Sequence, residues 1–524
     1  MMKPGDLSAI FARKQACFQI LETGFGTGAQ FFATCAAWQQ VAHLAGHSAG
    51  HSVPRLHYVA IAPQPVSREA LQVALQPALQ SAPATRALAE QLLAQWPPCL
   101  PGFHSLALAP GLTLTLIIGE IEAVLPHIAG EFDAQFGADF CSIRADGMAP
   151  AGSAVLSAHA QKRTDYPEQA TVIGAGIAGA SVAWALATRG IAVTVLERDV
   201  PAAGGSGNPV AVVRAEPGGE HHPITELSAA GVTWLFRWLA QHGQAVAHDV
   251  CGAIRLTRDA RRHHKLAGHA RQCPPDWLRE LDQKEATQFA GQTVADAGFL
   301  LPVAGWLAPA ALVQAFLAHP RITLKAGADV QSLQPDAAGG WHITLGDGSA
   351  LASRCVVLAS AFSGALSPTT LAIDRARGQL SYVPARADRV LHAVICRDGY
   401  IAPAVNGWHT IGATIQKDDE DPQPRAADDD ENFQRLARLL PGFATDPALL
   451  QSGRVSWRAV TQDRLPLVGR LADGLYASLA HGARGMTCAP LCAAWLAALM
   501  TGEVLPLPSP WIARLDPLRF HRRP

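Results

Sequence analysis

Two segments of the chain share the same succession of apolar and polar positions. In residues 17–32, the apolar run CFQILE ends in the glycine-rich turn TGFGTG and leads into AQFF. In residues 170–190, ATVI ends in GAGIAG and leads into ASVAWALATRG, whose small and apolar residues have helical spacing. A short apolar run, a glycine turn and a helix-like stretch together predict a strand–turn–helix unit. The chain therefore contains two candidate nucleotide-binding loops.

The second loop has the full G-x-G-x-x-G spacing, with Gly174, Gly176 and Gly179. The first glycine allows a tight turn, the second lets backbone approach a pyrophosphate, and the third lets the helix pack on the strand. The helix is expected to stop at Gly190, and the next strand, IAVTVLE, ends in Glu197. A carboxylate about twenty residues past the loop can bind a ribose hydroxyl. An ordinary strand–helix–strand crossover does not explain three glycines plus the acid, so a dinucleotide site is predicted.

Later segments favour FAD over NAD as the dinucleotide. GGSGNP, at residues 204–209, follows the second strand and is rich in backbone donors. WHITLGDGSAL reads as a hairpin about Asp347 and Gly348, and CVVLASA reads as a buried strand. Near the C-terminus, LYASLAHGARGMTCAPLCAAWLAALM repeats the strand–turn–helix pattern. The positive N-terminal end of that last helix is suited to a reduced, anionic flavin ring.

Composition narrows the class of protein. The 524 residues suffice for about two or three domains, and 49% are hydrophobic against 16% charged. The net charge of −1 gives no overall attraction to nucleic acid or anionic membrane. The ten cysteines include no C-x-x-C pair, and the N-terminus has no signal-peptide core. We expect a cytoplasmic, monomeric protein with no metal site and no membrane partner.

Several motifs in the second half follow one another in a familiar order. They are GGSGNPVAVV, AGWLAPAALVQAFL, RGQLSYVP, CRDGYIAP, IGATI, WRAVTQDRLPLVG and HGARGMTCAPLCAAWLA, spread over residues 170–500. This order resembles the amine-oxidising flavoproteins of the D-amino-acid and glycine oxidase superfamily. Within that superfamily, it is similar to the FAD domain of the bifunctional bacterial enzymes of tRNA 5-methylaminomethyl-2-thiouridine biosynthesis.

The resemblance implies an α/β fold with three parts. Residues 1–150 would form a partial Rossmann-like methyltransferase domain, and residues 151–169 a linker. Residues 170–524 would form a Rossmann-type FAD-binding domain with an antiparallel-sheet substrate domain. The predicted cofactor-binding residues lie in the glycine-rich segments and after the second strand: Gly174, Ala175, Gly176, Ile177, Ala178, Gly179, Glu197, Arg198, Ser206, Gly207, Asn208, Gly482, Arg484, Gly485 and Met486. For Arg484, capping of its own loop is the alternative role.

The resemblance also implies the reaction and its catalytic residues. Members of the family oxidise the carboxymethylaminomethyl group at the 5-position of the wobble uridine in the tRNA anticodon, using FAD. The products are the aminomethyl uridine and, by analogy with glycine oxidation, glyoxylate. Arg458 matches the arginine that holds the substrate carboxylate, and Tyr400 matches a tyrosine that donates a hydroxyl to the same group. A solvated strand-end arginine and a packing tyrosine are the alternative readings, and no histidine stands out as a base.

A tRNA partner calls for basic surface. The densest basic run is 258–271, and a smaller group comprises Arg514, Arg519, Arg522 and Arg523. Either group could meet phosphates, although a solvated helix face is an equally good reading of the first. The acidic stretch 417–433 would repel RNA, and we expect it to be an exposed loop.

The first glycine loop resembles the S-adenosylmethionine-dependent methyltransferase half of the same family, with departures. RLHYVAI would be its second strand, which ends in Ile61-Ala62-Pro63 instead of a carboxylate. LTLTLIIGEIEAVLPHI would be its third strand and following helix, and ADGMAP, at 145–150, only echoes the family's aspartate segment. We therefore expect a truncated, inactive domain that binds S-adenosylmethionine only if it still functions. Its first strand should then be an exposed sheet edge with an uncovered apolar face.

Two other functions remain open from the sequence. One is an FAD-dependent oxidase of free glycine, sarcosine or D-amino acids. The other is a tRNA-binding flavoprotein that has lost catalysis.

Overall fold

A computed structural model describes residues 11, 16–46, 54–64, 66–137, 141–143, 167–218, 222–337, 339–362, 366–444 and 446–521. ADGMAP and most of the predicted linker lie outside these residues. The chain forms two compact units. The first comprises Met1–Glu168, Ala185–Ile191 and Ala494–Ala513, and the second comprises Gln169–Trp184, Ala192–Ala493 and Arg514–Pro524.

The described strands and helices are as follows. The strands are β1 (Cys17–Glu22), β2 (Arg55–Ala62), β3 (Gly102–Ala109), β4 (Leu112–Ile118), β5 (Ala134–Phe136), β6 (Cys141–Ile143), β7 (Gln169–Ile173), β8 (Ala192–Glu197), β9 (Ala211–Val213), β10 (His248–Asp249), β11 (Ala253–Leu256), β12 (Arg279–Leu281), β13 (Gly298–Leu301), β14 (Gly305–Leu307), β15 (Ile322–Ala326), β16 (Val330–Pro335), β17 (Trp341–Leu345), β18 (Ala350–Ser353), β19 (Val356–Leu358), β20 (Asp374–Pro384), β21 (Val394–Cys396), β22 (Tyr400–Ile401), β23 (Trp408–Gly412), β24 (Gln416–Lys417), β25 (Gln451–Val460), β26 (Leu467–Ala472) and β27 (Leu475–Leu479). The α-helices are Ala29–Gly46, Arg68–Ala74, Gln76–Leu79, Pro83–Gln95, Ile121–Val124, Ile177–Ala187, Pro223–His242, Ala260–Ala270, Gln283–Ala290, Pro309–Leu317, Ala426–Leu439, Gly485–Thr501 and Pro510–Leu515. Short 3-10 turns occupy Leu125–His127, Gly243–Ala245, Pro447–Leu449 and Gly482–Arg484.

The first unit is built on a six-stranded sheet with the order β3-β4-β2-β1-β5-β6. Strands β4, β2, β1 and β5 are parallel, and the strand order reverses at β1, beside the first glycine turn. All six residues of β1 are buried, which explains its nearly continuous apolar sequence. The strands predicted from CFQILE, RLHYVAI and LTLTLII are confirmed, and the helix predicted after the third is present as Ile121–Val124 followed by the 3-10 turn Leu125–His127.

The expectation that β1 is an exposed edge is wrong. The short strand β5 pairs in parallel with residues Ile20–Glu22, and β6 pairs with β5. Ahead of β5, the Asp133 carboxylate accepts a hydrogen bond from Gln19 N at 2.8 Å, and Asp133 N donates to Gln19 O at 2.7 Å. A strand of three residues such as β5 is too short to show a periodic pattern in the sequence, so these contacts could not be predicted.

The expected uncovered apolar face is also covered. Leu21, Val59 and Ile61 form a cluster with Ile128, Phe132 and Val504, in which each side chain is at most 4% exposed. The Gln19 side chain donates to Gly502 O and accepts from Val504 N, which fixes the segment that carries Val504. The buried Glu503 carboxylate pairs with Arg55 at 2.5 Å and with Arg189 at 3.1 Å. The first unit thus includes a C-terminal segment of the chain in its core.

The second unit contains the predicted Rossmann-type sheet, with the order β15-β8-β7-β19-β27-β26. All neighbouring pairs except β26–β27 are parallel. Strand β7, the helix Ile177–Ala187 and β8 reproduce the predicted strand–turn–helix–strand order. The predicted hairpin is the β17–β18 pair, and β16 completes its three-stranded sheet.

A nine-stranded sheet forms the predicted substrate-domain sheet. Its order is β12-β13-β11-β21-β22-β23-β20-β24, and β25 pairs with β20. Every pair in it is antiparallel except β11–β21. A small sheet, β10-β14-β9, accompanies it.

The acidic stretch 417–433 is the expected exposed loop only in its first half. Its second half begins the helix Ala426–Leu439, in which Asp428 and Asn432 are each 1% exposed. Asp428 forms an ion pair of 2.6 Å with Arg377, whose side chain is fully buried in β20. A buried carboxylate needs such a counterion, and this one lies about fifty residues away in sequence, where local pattern cannot reveal it.

Candidate functional site

The second glycine loop forms a tight cradle at the C-terminal end of β7. Gly174 has a φ of +105°, and a Cβ there would lie 2.8 Å from Ser360 Cα. A Cβ on Gly179 would collide with the Gly174 carbonyl oxygen, so the helix can approach the strand only with glycine at this position. Ala175, Ile177 and Ala178 fill the remaining loop and first-turn positions, and all three are buried.

Two polar side chains line this cradle. Ser206 Oγ accepts a hydrogen bond of 2.9 Å from Ile177 N, which brings the GGSGNP segment to the N-terminus of the helix. Glu197 Oε2 accepts from Ala175 N at 2.7 Å, and its Oε1 accepts from Asp199 N at 3.1 Å. Glu197, the predicted ribose ligand, is therefore hydrogen-bonded to the glycine loop that is predicted to bind the pyrophosphate.

The structure also brings the C-terminal turn to this cradle. A Cβ on Gly485 would lie 3.5 Å from Ile177 Cγ2, so the 3-10 turn Gly482–Arg484 is next to the first helix. Gly482 has a φ of +58°, and Met486 is buried. Arg484 Nη2 donates to Arg464 O at 3.3 Å, in the connection between β25 and β26 and not in its own turn, so its role at the cofactor stays a prediction.

Three further predicted cofactor residues differ in their surroundings. Gly207 leaves room for the Arg454 guanidinium, which donates to Asn208 Oδ1 at 3.4 Å. The Arg198 side chain is 69% exposed and pairs with its neighbour Asp199. Arg198 is thus the predicted residue that points most clearly toward solvent.

His481 is a site residue that the sequence reasoning missed. Its Nε2 lies 3.0 Å from Ser478 Oγ, while its Nδ1 is buried with no hydrogen-bond partner among the described residues. Burial lowers the pKa of His481 to about 4, so the ring is neutral at physiological pH. An orphaned buried nitrogen between two glycine-rich turns is the kind of group that a bound cofactor satisfies. The open glycine cradle, Glu197 and this nitrogen fit FAD.

Tyr400 and Arg458 come together on the nine-stranded sheet. Burial raises the pKa of Tyr400 above its ordinary value, and the Arg458 charge opposes that rise. Burial lowers the pKa of Arg458, and Arg435 lowers it further while Tyr400 raises it. Arg458 Nη1 is 3.4 Å from Thr414 O, a long contact that uses at most one of the five guanidinium N–H donors. The register from β22 through β23 and β20 to β25 puts Tyr400 and Arg458 on the same face of the sheet, where a phenol and a guanidinium are suited to a carboxylate.

Gly378 makes the space for this arginine. It lies in β20, opposite Ser456 of β25. A Cβ at position 378 would overlap Arg458 Nη1 and lie 2.7 Å from Thr414 O. The φ angle of Gly378 is not in the left-handed region, so other residues could adopt its backbone conformation. Glycine is needed at position 378 because a side chain would occupy the space of the Arg458 guanidinium.

We expect Gly378→Ala to displace the Arg458 guanidinium and to raise the KM for a carboxylated amine, with FAD still bound. Gly346→Ala is the matched control, since its Cβ would have 3.5 Å of clearance from Gln331 Nε2. Steady-state kinetics with flavin content as the folding check measure the effect. Equal KM values for the two variants would show that Gly378 does not position Arg458.

The first glycine loop carries a buried acid that the sequence reasoning also passed over. Glu22 ends β1, is 7% exposed, and accepts a hydrogen bond of 2.9 Å from the Tyr58 hydroxyl. Burial raises the pKa of Glu22 from 4.5 to about 7, although the Tyr58 hydrogen bond opposes the rise. Ala62 ends β2 without a carboxylate, as predicted from the sequence.

Because the folded pKa of Glu22 is raised, its protonated form stabilises the first unit. That stability is fully present below pH 4.5 and is lost as pH rises to about 7, on the order of 3 kcal/mol in all. Glu22→Gln should therefore make the unfolding temperature less dependent on pH over this window. At pH 8, the unfolding temperature of Glu22→Gln should be higher than that of the wild type. The exposed Glu90→Gln is the control, and an unchanged pH profile in Glu22→Gln would contradict the assignment.

Several cations of the predicted basic surfaces pair with carboxylates. Arg258 pairs with Asp398, Arg262 with Asp259, and His263 with Glu280. Arg514 pairs with Glu226 and Arg519 with Asp463. Arg522 and Arg523 lie outside the described residues.

One apolar segment of the described chain, Gly482–Thr501, is long enough to cross a membrane, but most of it is buried within the protein. Core helices of this length commonly have the same composition. Among the described residues, no group of three or more His, Cys, Asp or Glu side chains could hold a metal ion.

Comparison with known proteins finds a family model that matches the second half of the chain and relatives that match nearly all of it. The family model described as FAD dependent oxidoreductase (DAO) matches residues 169–499. A tRNA 5-methylaminomethyl-2-thiouridine biosynthesis bifunctional protein MnmC from Thiobacillus denitrificans is 35% identical over 577 residues, covering 96% of this chain and 90% of the relative. The protein with the same name from Aromatoleum aromaticum is 33% identical over 97% of this chain and 90% of its own. Both alignments are longer than 524 residues, so the relatives contain segments that this chain lacks.

Solved structures agree on the fold of the second half. Glycine oxidase from Geobacillus kaustophilus matches with a TM-score of 0.59 and 20% identity, covering 68% of this chain and 99% of its own. Iminodiacetate oxidase from Chelativorans sp. BNC1 matches with a TM-score of 0.57 and 21% identity, over 66% and 98%. The chain therefore belongs to the FAD-dependent oxidoreductases of the DAO family and, within them, to the bifunctional tRNA 5-methylaminomethyl-2-thiouridine biosynthesis proteins.

Proposed function

We propose that this protein oxidises the 5-carboxymethylaminomethyl group of a wobble uridine in tRNA. The observation that carries the proposal is the presence of Arg458 and Tyr400 on one face of the nine-stranded sheet, in a chain that also forms an FAD-type cradle. The relatives that match nearly the whole chain are named for biosynthesis of a modified tRNA uridine, which identifies the amine. Such a protein works in the cytoplasm, and a monomer suffices because the site is formed within one chain.

The substrate is an N-substituted glycine, R–CH₂–NH–CH₂–COO⁻. Bound FAD supplies the acceptor for the two electrons and the hydrogen that leave the carbon between nitrogen and carboxylate. Water then adds to the C=N bond, and cleavage gives R–CH₂–NH₂ and glyoxylate.

The protein's own residues hold this substrate in place. The Arg458 guanidinium offers two parallel N–H donors to the carboxylate. The Tyr400 hydroxyl stays protonated, since its pKa is raised, and donates to the same group. A carboxylate fixed at its far end orients the reacting carbon, which supplies much of the rate enhancement of such enzymes.

Anaerobic mixing distinguishes this proposal from the two alternatives. We expect the flavin absorbance of the holoprotein to bleach rapidly with tRNA that carries the carboxymethylaminomethyl group. Bleaching by glycine, sarcosine or D-alanine but not by this tRNA would favour an amino-acid oxidase. A flavin that stays oxidised with all of them while the tRNA binds would favour a flavoprotein without catalysis.

We further propose that residues 1–150 are a truncated methyltransferase-like domain that no longer methylates. Ala62 replaces the expected ribose carboxylate, and on the side of β1 away from β2 the sheet continues only through β5 and β6, of three residues each. The helical segment after β4 is short, with Ile121–Val124 followed by the 3-10 turn Leu125–His127. The core of this unit is nevertheless closed, which supports a structural role for it. On this account, residues 151–169 are the linker and residues 170–524 carry the activity.

Labelled S-adenosylmethionine tests the truncation. With the aminomethyl form of the tRNA as substrate, we expect no transfer of label to the nucleoside. Label in methylaminomethyl uridine, at a rate proportional to protein, would show that the first unit is an active methyltransferase. A relative of full length serves as the positive control.

A further inference from the structure

Three charged side chains, Arg214, Glu216 and Arg255, form a cluster near the strand that carries Tyr400 and have no part in the chemistry described so far. Arg255 of β11 is the register partner of Cys396 in β21, and Cys396 is the register partner of Tyr400 in β22. Register partners on adjacent strands point to the same face of a sheet. Arg214, in the loop that follows β9, shares the Glu216 carboxylate with Arg255. Arg214 and Arg255 therefore lie on the face that carries Tyr400.

A carboxylate lies between the two arginines. Arg214 Nη1 is 2.9 Å from Glu216 Oε2, and Arg255 Nη2 is 3.7 Å from Glu216 Oε1. Backbone carbonyls fix the arginines, since Arg214 donates to Ala215 O and Arg255 donates to Arg397 O, each at 3.1 Å. The three side chains are 17%, 30% and 27% exposed, so they are positioned by the protein but open to a ligand.

Arg214, Glu216 and Arg255 together present a hydrogen-bond donor, an acceptor and a second donor in succession. A guanidinium has five N–H donors and a carboxylate about four acceptor positions, and the contacts just described use only some of each. The complementary ligand is an imide, –CO–NH–CO–, which presents acceptor, donor and acceptor. Uracil and 2-thiouracil have this edge.

The charge on Glu216 argues for an imide over a phosphate. Burial favours its neutral form, but the guanidiniums of Arg214, Arg255 and Arg484 together outweigh burial and hold the pKa of Glu216 below its ordinary value. A carboxylate that remains charged at neutral pH repels a phosphate between the same two arginines, whereas it accepts readily from an N–H group.

We propose that Arg214, Glu216 and Arg255 form a base-recognition subsite that binds the imide edge of the target pyrimidine while Arg458 and Tyr400 hold its side-chain carboxylate. Two strand spacings separate Arg255 from Tyr400, about 10 Å, which the substituent at C5 of a uracil ring can bridge. The inference rests on the proposed function, because only a uridine substrate brings an imide to this site.

The test uses an anticodon stem-loop RNA with carboxymethylaminomethyl uridine and the same RNA with a methyl group on N3 of that uridine. The wild-type holoprotein should oxidise the first with a KM roughly ten- to a hundredfold lower than the second, because methylation removes the N–H that Glu216 accepts. The variants Glu216→Gln and Arg255→Met should raise the KM for the first RNA by a similar factor. In these variants, the KM values for the unmethylated and the methylated RNA should therefore differ less than in the wild type. Glu280→Gln and Arg279→Met, exposed on β12, are the matched controls and should behave as wild type.

The outcomes separate the subsite from the proposed function. Wild-type protein that oxidises both RNAs equally well, or Glu216→Gln and Arg255→Met variants with unchanged KM, would overturn the subsite and leave the proposed function standing. Wild-type protein that oxidises neither RNA, yet turns over small N-substituted glycines, would overturn the proposed function and the substrate named for the subsite. Loss of FAD from Glu216→Gln would assign that residue to cofactor binding and would also overturn the subsite.

Discussion

Gly176→Val is expected to yield a folded protein without FAD. A Cβ at position 176 would lie 3.3 Å from Ser206 Oγ, and the further methyl groups of valine would fill the space where the pyrophosphate approaches the backbone. The backbone at Gly176 has no positive φ, so valine meets no conformational penalty there. Absorbance near the flavin maximum, measured after purification and again after incubation with excess FAD, reports the loss.

Gly268→Val is the matched control for this loss. Gly268 lies in the helix Ala260–Ala270, where a Cβ would have its nearest neighbour, Arg271 Nη2, at 3.9 Å. We expect this variant to be yellow and as active as wild type. Full FAD binding by Gly176→Val would mean that the pyrophosphate lies elsewhere and that the cradle is not the cofactor site.

Arg458→Ala is expected to weaken binding of the carboxylated amine while FAD remains bound. Losing a charge-assisted hydrogen bond costs roughly 1.5–3 kcal/mol, or about ten- to a hundredfold in affinity. Arg458→Lys should recover only part of this loss, because an ammonium is a point charge where two parallel N–H bonds are expected. The KM for substrate, measured beside the flavin content of each variant, checks both expectations.

The exposed Arg470→Lys provides the control for the same chemical change, since Arg470 pairs only with the nearby Asp473 and Ala472. Arg458→Lys with wild-type kinetics would show that no bidentate contact forms. Unchanged kinetics in Arg458→Ala as well would place the carboxylate at another residue, with the Arg214–Arg255 pair as the next candidate.

The sequence predicts the FAD-binding half well because its signals are local. The strand, the glycine turn and the helix that ends near Gly190 lie within about twenty residues of each other, and each has its own pattern. The hairpin about Asp347 and Gly348 is also a local signal, and the structure confirms it. Tyr400 and Arg458 could be singled out only through resemblance to a family, since a tyrosine and an arginine in strands carry no distinctive spacing.

The remaining features depend on contacts between distant parts of the chain. Asp428 reads as part of an acidic loop until Arg377 is seen to neutralise it in the core. The edge of β1 reads as exposed until the three residues of β5 pair with it. Gly378 reads as an ordinary strand glycine until the guanidinium of Arg458, eighty residues later, fills the space beside it. In each of these three cases the two contacting segments are far apart in sequence, so a pattern read over a short stretch of residues cannot reveal the contact.

Nucleoside analysis of treated tRNA tests the central claim most directly. tRNA that carries 5-carboxymethylaminomethyl-2-thiouridine is incubated with the FAD-loaded protein and an electron acceptor, digested, and separated by liquid chromatography with mass detection. The account predicts that the carboxymethylaminomethyl nucleoside disappears, that the aminomethyl nucleoside appears in equal amount together with glyoxylate, and that Arg458→Ala slows the conversion. Persistence of the carboxymethylaminomethyl nucleoside with a flavin-loaded wild-type protein would contradict it.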